Sequence, residues 1–226
     1  IKREVFVWSQ TKHPNLHPLL GYRSRPQPRL ISPWCSRGNL MDYLRENPGL
    51  SRRDKLRLIY QTACGLDHLH SQTPPICHAD IKPENVLVND RLEAALSDFG
   101  LSLVLEGLGA PSGFTTTERV KGTLNYMAGE LFEGEKANRE SDVYAFGGLI
   151  LTVMSGKAPF TGLREPIIIR RVIQDQPPKQ EDHPELPLWD PLWSLLRCCW
   201  HQNPGLRPTM QGVLAEVSFH LSSVPI

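Results

Sequence analysis

The stretch from Cys77 to Gly100, C-H-A-D-I-K-P-E-N-V-L-V-N-D-R-L-E-A-A-L-S-D-F-G, constrains this chain more than any other. Short apolar or β-branched runs mark it, Ile76-Cys77, Val86-Leu87-Val88 and Ala94-Ala95-Leu96. Each has the length and composition of a small strand. Beside them stand Asp80, Asn85 and Asp98, so the strands would bring three oxygen-bearing side chains to the rim of one cleft. A carboxylate to accept a hydroxyl proton, with an Asp and an amide oxygen to hold Mg²⁺, is what phosphoryl transfer asks of a protein. That chemistry is mostly positioning and charge neutralisation, so hard oxygen ligands matter more than a strong nucleophile.

His78-Ala79-Asp80-Ile81-Lys82-Pro83-Glu84-Asn85 resembles the catalytic loop H-R-D-L-K-x-x-N of the protein kinases, and Asp98-Phe99-Gly100 matches their D-F-G. Either motif alone occurs by chance. Both in this order, with Asp98 thirteen residues after Asn85, are a specific signature.

The resemblance extends along nearly the whole chain. Glu4-Val-Phe-Val-Trp8 and the following His13-Pro14-Asn15 are similar to the end of the kinase C-helix and its turn, which makes Glu4 the glutamate that pairs with a strand lysine. Leu16–Tyr22 and Arg29–Ser32 read as two strands, the fourth and fifth of the kinase N-lobe. Ser32 then falls at the gatekeeper position and Trp34-Cys35 at the hinge that meets adenine. Asn39–Glu46 reads as a short helix capped by Asn39. Ser51-Arg-Arg-Asp54 opens a longer one, whose Leu56, Ile59, Ala63, Leu66 and Leu69/His70 keep helical spacing. Val143–Met154 is apolar all round, as a central buried helix should be. With Ser141-Asp142 at its start it resembles the kinase F-helix, whose aspartate anchors the catalytic-loop backbone. Asp190-Pro191 reads as the N-cap and first position of another helix, and Thr209–Leu221 as the last. Gly122-Thr123-Leu-Asn-Tyr-Met-Ala128-Gly129-Glu130 resembles the close of an activation segment, with Gly129 in place of proline. Cys199-Trp200-x-x-Asn203-Pro204-x-x-Arg207-Pro208 is similar to a signature of tyrosine and tyrosine-kinase-like domains, and Arg207 is expected to pair with Glu130.

The fold implied is α+β and protein-kinase-like. Residues 35–226 would form a mainly helical C-lobe with catalytic loop 78–85 and activation segment 98–130. Residues 1–34 would supply only the C-helix end and two strands of the N-lobe. At 226 residues and 40% apolar composition the chain can bury a core. Its net charge of +1 gives no footprint for nucleic acid or an anionic membrane, and Val143–Met154 is too short to span a bilayer. Five cysteines without C-x-x-C spacing read as reduced core residues of an intracellular, cytoplasmic protein. Nothing in the sequence sets the oligomeric state.

The resemblance implies a kinase transferring the γ-phosphoryl of Mg-ATP to protein hydroxyls. Asp80 would take the hydroxyl proton, Lys82 would neutralise the transferring group, and Asn85 and Asp98 would hold Mg²⁺. Glu4, Ser32, Trp34, Cys35 and Leu87 would border the nucleotide. Lys82, two residues after Asp80, is the serine/threonine pattern; combined with the Cys-Trp signature it points to the tyrosine-kinase-like group. Two departures stand out. Ala79 replaces the arginine that clamps a phosphorylated loop, so phosphorylation at Thr115–Thr117 is not expected to switch activity through that contact. No glycine-rich loop or strand lysine precedes Glu4, and Ile1 falls in mid-helix. A fragment of a kinase domain is therefore expected, with weak ATP binding by these residues alone. A kinase-derived, protein-binding module is the alternative.

Overall fold

The computed structural model describes residues 8, 11–23, 25, 27, 29–99, 103–104 and 123–224. Glu4, Gly100, Thr115–Thr117 and Gly122 lie outside them. The architecture is α+β: among the described residues three short antiparallel strand pairs accompany a larger set of helices.

Strands β1 (Gly21–Arg23) and β2 (Arg29–Ile31) pair antiparallel, Gly21 opposite Ile31. The first strand expected from the sequence begins too early. Residues before Gly21 spend their backbone groups elsewhere: Leu16 bridges to Leu96, His17 N–H donates to Leu96 O at 2.7 Å, and Asn15 O accepts from Leu96 N–H at 2.9 Å. Helix α1 (Leu40–Glu46) starts where Asn39 Oδ1 accepts the Asp42 N–H at 2.9 Å. Helix α2 (Arg52–His70) starts at Ser51, whose Oγ accepts the Asp54 N–H at 3.1 Å. Both caps satisfy donors that the first helical turn leaves orphaned.

Strand β3 (Ile76–Cys77) is followed by a 3₁₀ turn at Pro83–Asn85 and by the hairpin β4 (Val86–Val88) and β5 (Ala94–Leu96). In the hairpin Val86 faces Leu96 and Val88 faces Ala94. Strand β6 (Leu103–Val104) returns to pair with β3. Then come α3 (Gly129–Phe132), α4 (Arg139–Ser155), α5 (Glu165–Ile173), α6 (Leu192–Cys199) and α7 (Met210–Ser222).

Helix α4 is the axis of the core, with every residue from Ser141 to Ser155 buried. Two adjacent glycines let neighbours approach it closely. A Cβ on Gly147 would stand 2.8 Å from the Trp200 indole nitrogen, and one on Gly148 would stand 2.8 Å from the Tyr126 ring. The sequence places the helix start at Ser141-Asp142; it lies earlier. Asn138 is the N-cap, its Oδ1 accepting the Ser141 N–H at 2.7 Å while Ser141 Oγ accepts the Asn138 N–H at 3.0 Å. That reciprocal box absorbs two orphan donors and draws Arg139 and Glu140 into the helix. Helix α6 begins at Leu192, one residue beyond the expected position, with Pro191 and not Asp190 as its N-cap; Asp190, one residue earlier, accepts the Leu192 N–H at 3.0 Å. Helix α2 packs on α7, α4 and β5, so hairpin and helices share one core. All five cysteines are free, but Cys198 is exposed and only Cys77 and Cys199 are buried. Among the described residues no helix is long and apolar enough to cross a membrane.

Candidate active site

The β4–β5 hairpin fixes the spacing of the site. Asn85 precedes β4 and Ser97 follows β5, and both the N–H and the hydroxyl of Ser97 donate to Asn85 O, at 2.8 and 3.0 Å. The hairpin therefore brings Asn85 and Asp98 to the same end of one strand pair, although many residues separate them in the chain.

The catalytic-loop residues are joined directly. Lys82 Nζ donates to both carboxylate oxygens of Asp80, at 3.1 and 2.8 Å. Asn85 Nδ2 donates to the Asp80 carboxylate and to its backbone carbonyl, each at 2.8 Å. With both protons of its amide directed at Asp80, Asn85 presents Oδ1 as an acceptor that no donor among the described residues engages. An amide oxygen held this way suits a hard divalent cation. Asp98 is exposed, on backbone of φ 59°, a left-handed conformation that aspartate tolerates better than most residues. Among the described residues no cluster of three or more His, Cys, Asp or Glu is placed to hold a metal. A cation here would rely on few protein ligands and on the oxygens of its substrate, the usual arrangement for Mg²⁺ with phosphates.

Beneath the loop lies Asp142, on the first turn of α4 and 1% exposed. Its carboxylate accepts the His78 N–H at 2.7 Å, the Ala79 N–H at 2.8 Å and a bond with His70 Nε2 at 3.0 Å. Burial alone would raise this carboxyl. The His70 hydrogen bond and charge, with further help from His78, outweigh burial and hold it below its ordinary value. The bond to Ala79 fastens a non-glycine residue at φ 67°, a conformation that persists only when its surroundings impose it. His78 ties the loop to the hairpin, its Nε2 lying 3.0 Å from Ser97 O. A stack of rings continues upward: Phe99 lies 5.6 Å from His78 and 5.5 Å from Trp8, centroid to centroid. Sequence reasoning missed Trp8 and His70 because each acts through a partner distant in the chain.

At the expected hinge, Cys35 and Gly38 form a turn closed by a 3.1 Å backbone bond, and Gly38 O accepts from Val88 N–H at 3.0 Å. Asn39 bridges Leu87, so the expected hinge stands beside β4. Ser32, Cys35 and Leu87 are half-buried and Trp34 is 89% exposed. Glu4 is outside the described residues. The Arg207 guanidinium meets both carboxylate oxygens of Glu130, at 2.6 and 2.9 Å, fully buried.

Residues 1–219 match the family model described as Protein kinase domain. The chain is 35% identical to Receptor-interacting serine/threonine-protein kinase 3 of Rattus norvegicus, over 93% of this chain and 46% of that protein. It is 34% identical to Ankyrin repeat and protein kinase domain-containing protein 1 of Mus musculus, over 74% of this chain and 23% of that one. Its identity to Serine/threonine-protein kinase CTR1 of Arabidopsis thaliana is 29%, over 94% and 25%. The chain thus spans less than half the length of these relatives. The catalytic-loop geometry and the match across nearly every residue agree: the chain belongs to the protein kinase domain family, in its tyrosine-kinase-like group with a serine/threonine-type catalytic loop.

Proposed function

We propose that this chain is the catalytic region of a protein serine/threonine kinase that transfers the γ-phosphoryl of Mg-ATP to hydroxyls of protein substrates. The observation that carries the reading is the Asp80–Lys82–Asn85 network, in which one carboxylate is held by an ammonium and an amide at 2.8 Å each. Asp80 orients the substrate hydroxyl and takes its proton. Lys82, already at the carboxylate, lies where it can also face charge moving onto the transferred group. Asn85 Oδ1 and Asp98 are the residues that would hold Mg²⁺; the bound metal neutralises phosphate oxygens and fixes their orientation. Ser32, Trp34, Cys35 and Leu87 border the adenine, and Glu4 belongs to the same site. Residues 1–34 act as the N-lobe portion and 35–226 as the C-lobe. Ala79 carries no cation, so loop phosphates gain nothing from that position. Five free cysteines fit a reducing, intracellular setting.

The test is Mg²⁺-dependent phosphorylation of a protein substrate by the full-length protein carrying this chain, followed by phosphoamino-acid analysis. Asp80→Asn should reduce turnover at least ~100-fold, the scale of a general base, and the product should be phosphoserine or phosphothreonine. Full activity in Asp80→Asn, or phosphotyrosine alone, would refute the reading.

A further inference from the structure

Away from the active site, a cavity of about 210 Å³ opens between α3, α4 and the end of α5. Glu133 and Glu135 in the turn after α3, Tyr144 of α4, Val172 and Asp175 at the end of α5, and Trp200 after α6 line it. Its volume lies below the ~300–1,000 Å³ of drug-sized pockets. One long side chain would fill it; a nucleotide would not enter.

The charges in the wall are unequal. Glu130 also borders the cavity, but Arg207 meets both of its oxygens. That carboxylate balances the Arg207 charge, and two further donors of the guanidinium go to the backbone carbonyls of His201 and Glu140. Glu133, Glu135 and Asp175 form no ion pair among the described residues, although Lys136 and Arg171 lie close in sequence. Asp175 sits just past the C-terminus of α5, where the carbonyl ends of the helix already disfavour a negative charge, and its backbone φ is 53°. The cavity is therefore an uncompensated negative recess.

A second observation is independent of these carboxylates. Tyr144 is only 6% exposed, yet its hydroxyl makes no hydrogen bond to another of the described residues. Nor is the hydroxyl sealed away: the one buried side-chain polar atom without a partner among the described residues is His183 Nε2. Tyr144 lines the cavity, so the hydroxyl's opening is onto that space. A phenol hydroxyl that is accessible and unpaired is open to a hydrogen bond from or to a group that enters.

We propose that this recess is a docking pocket for a single arginine side chain of a protein partner. Charge complementarity selects a cation. A planar guanidinium is more weakly hydrated than an ammonium and has enough donors to meet two carboxylates and a phenol together. Ile173, 40% exposed at the wall, offers apolar surface to the residues flanking that arginine.

The experiment uses the full-length protein carrying this chain, with methyl groups and tryptophan indoles isotope-labelled for NMR, titrated with Ac-Gly-Arg-Gly-NH2. Saturable shifts at Val172, Ile173 and Trp200 are expected in the millimolar range, with no response to the uncharged citrulline peptide. Glu135→Lys, at an exposed turn position, supplies an internal cation and should weaken binding at least tenfold. Tyr144→Phe removes the waiting hydroxyl and should weaken it about three- to tenfold. Unchanged thermal unfolding of both variants assigns the losses to the pocket. Equal shifts with citrulline, undiminished binding by Glu135→Lys, or no saturable shift at these residues would overturn the proposal. Asp80-dependent phosphorylation, measured in parallel, should be the same in Glu135→Lys, so this result stands apart from the catalytic assignment.

Discussion

Two buried carboxylates flank the start of α4, and the protein compensates them in opposite ways. Glu130 faces α6 and the turn before α7, where Arg207 meets it bidentately and also donates to Glu140 O at 3.0 Å. Asp142 faces the catalytic loop, and its side-chain partner is the His70 imidazole in place of a guanidinium. Two backbone N–H groups and His70 share its charge. The first arrangement joins elements that serve packing. The second turns backbone of the catalytic loop into a ligand of the core helix, so the conformation of the site is part of what makes the burial of Asp142 tolerable. Charge compensation by a side chain gives a structural clamp; compensation by backbone gives a clamp that also sets geometry.

The sharpest way to break this contrast is Arg207→Met, which keeps much of the stem but leaves Glu130 buried without a cation. Loss of one partner of a buried pair costs about 3–5 kcal/mol, read as a shift of the urea unfolding midpoint of the full chain. Adding Glu130→Leu should recover more than half of it, because the pair's own net worth is small once both desolvation penalties are gone. No recovery would mean that the bonds of Arg207 to backbone carbonyls, and its contact 5.1 Å from the Tyr144 ring centroid, dominate instead.

Asp142→Asn should cost less stability, about 1.5–3 kcal/mol, the range for a hydrogen bond to a charged group. The amide has a single acceptor oxygen where the carboxylate had two, so one of the His78 and Ala79 N–H groups loses its acceptor. Activity should fall more steeply per unit of stability than in Arg207→Met, because Ala79 is then free to leave φ 67° and Asp80 moves with it. Stability also depends on pH at this position. The Asp142 carboxyl lies below its unfolded value, so its contribution is present above the unfolded pKa and is lost as pH falls through the folded one. Asp142→Asn should remove that part of the acid dependence. Retained activity with lost stability would show that Asp142 is only another structural clamp.

The difference between the two regions also sets what the sequence made legible. The catalytic loop is a local sentence: His78 to Asn85 are contiguous, and hydrogen bonds among Asp80, Lys82 and Asn85 span only a few residues, so motif spacing and geometry coincide. Val143–Met154 was equally readable, since a helix buried on every side needs an apolar run. The start of that helix was not, because its capping box uses Ser141 where Glu or Gln is usual. Leu16 has strand-like neighbours, yet its backbone bonds go to β5, a choice made by tertiary contact. The arginine-sized recess left no trace at all: Glu133, Tyr144, Asp175 and Trp200 lie on separate elements, and no period or motif relates them. Trp8 and His70 were hidden for the same reason.

A third buried group shows what happens when neither cation nor backbone compensates a charge. His183 is 1% exposed, with Nδ1 at 2.9 Å from Ser155 Oγ and Nε2 without a partner. Burial lowers its pKa; the carboxylates of Asp182 and Glu185 oppose this and Lys157 adds to it. The protein keeps this group neutral rather than paired. A base whose folded pKa is depressed contributes stability above the unfolded value, near 6.5, and loses it as pH falls, because the unfolded chain binds the proton first. Between pH 7 and pH 5 the full chain should therefore become less stable, well above the range in which Asp142 titrates. His13, His17 and His220 are lowered mainly by burial as well and act in the same direction. His183→Gln should flatten part of that slope while leaving the more acidic transition of Asp142 in place, measured by urea unfolding at each pH. An unchanged slope would assign the acid sensitivity to the other three histidines. The effect should be small, because it arises from a group the fold keeps uncharged, whereas the Asp142 carboxyl is held below its ordinary value and must be compensated.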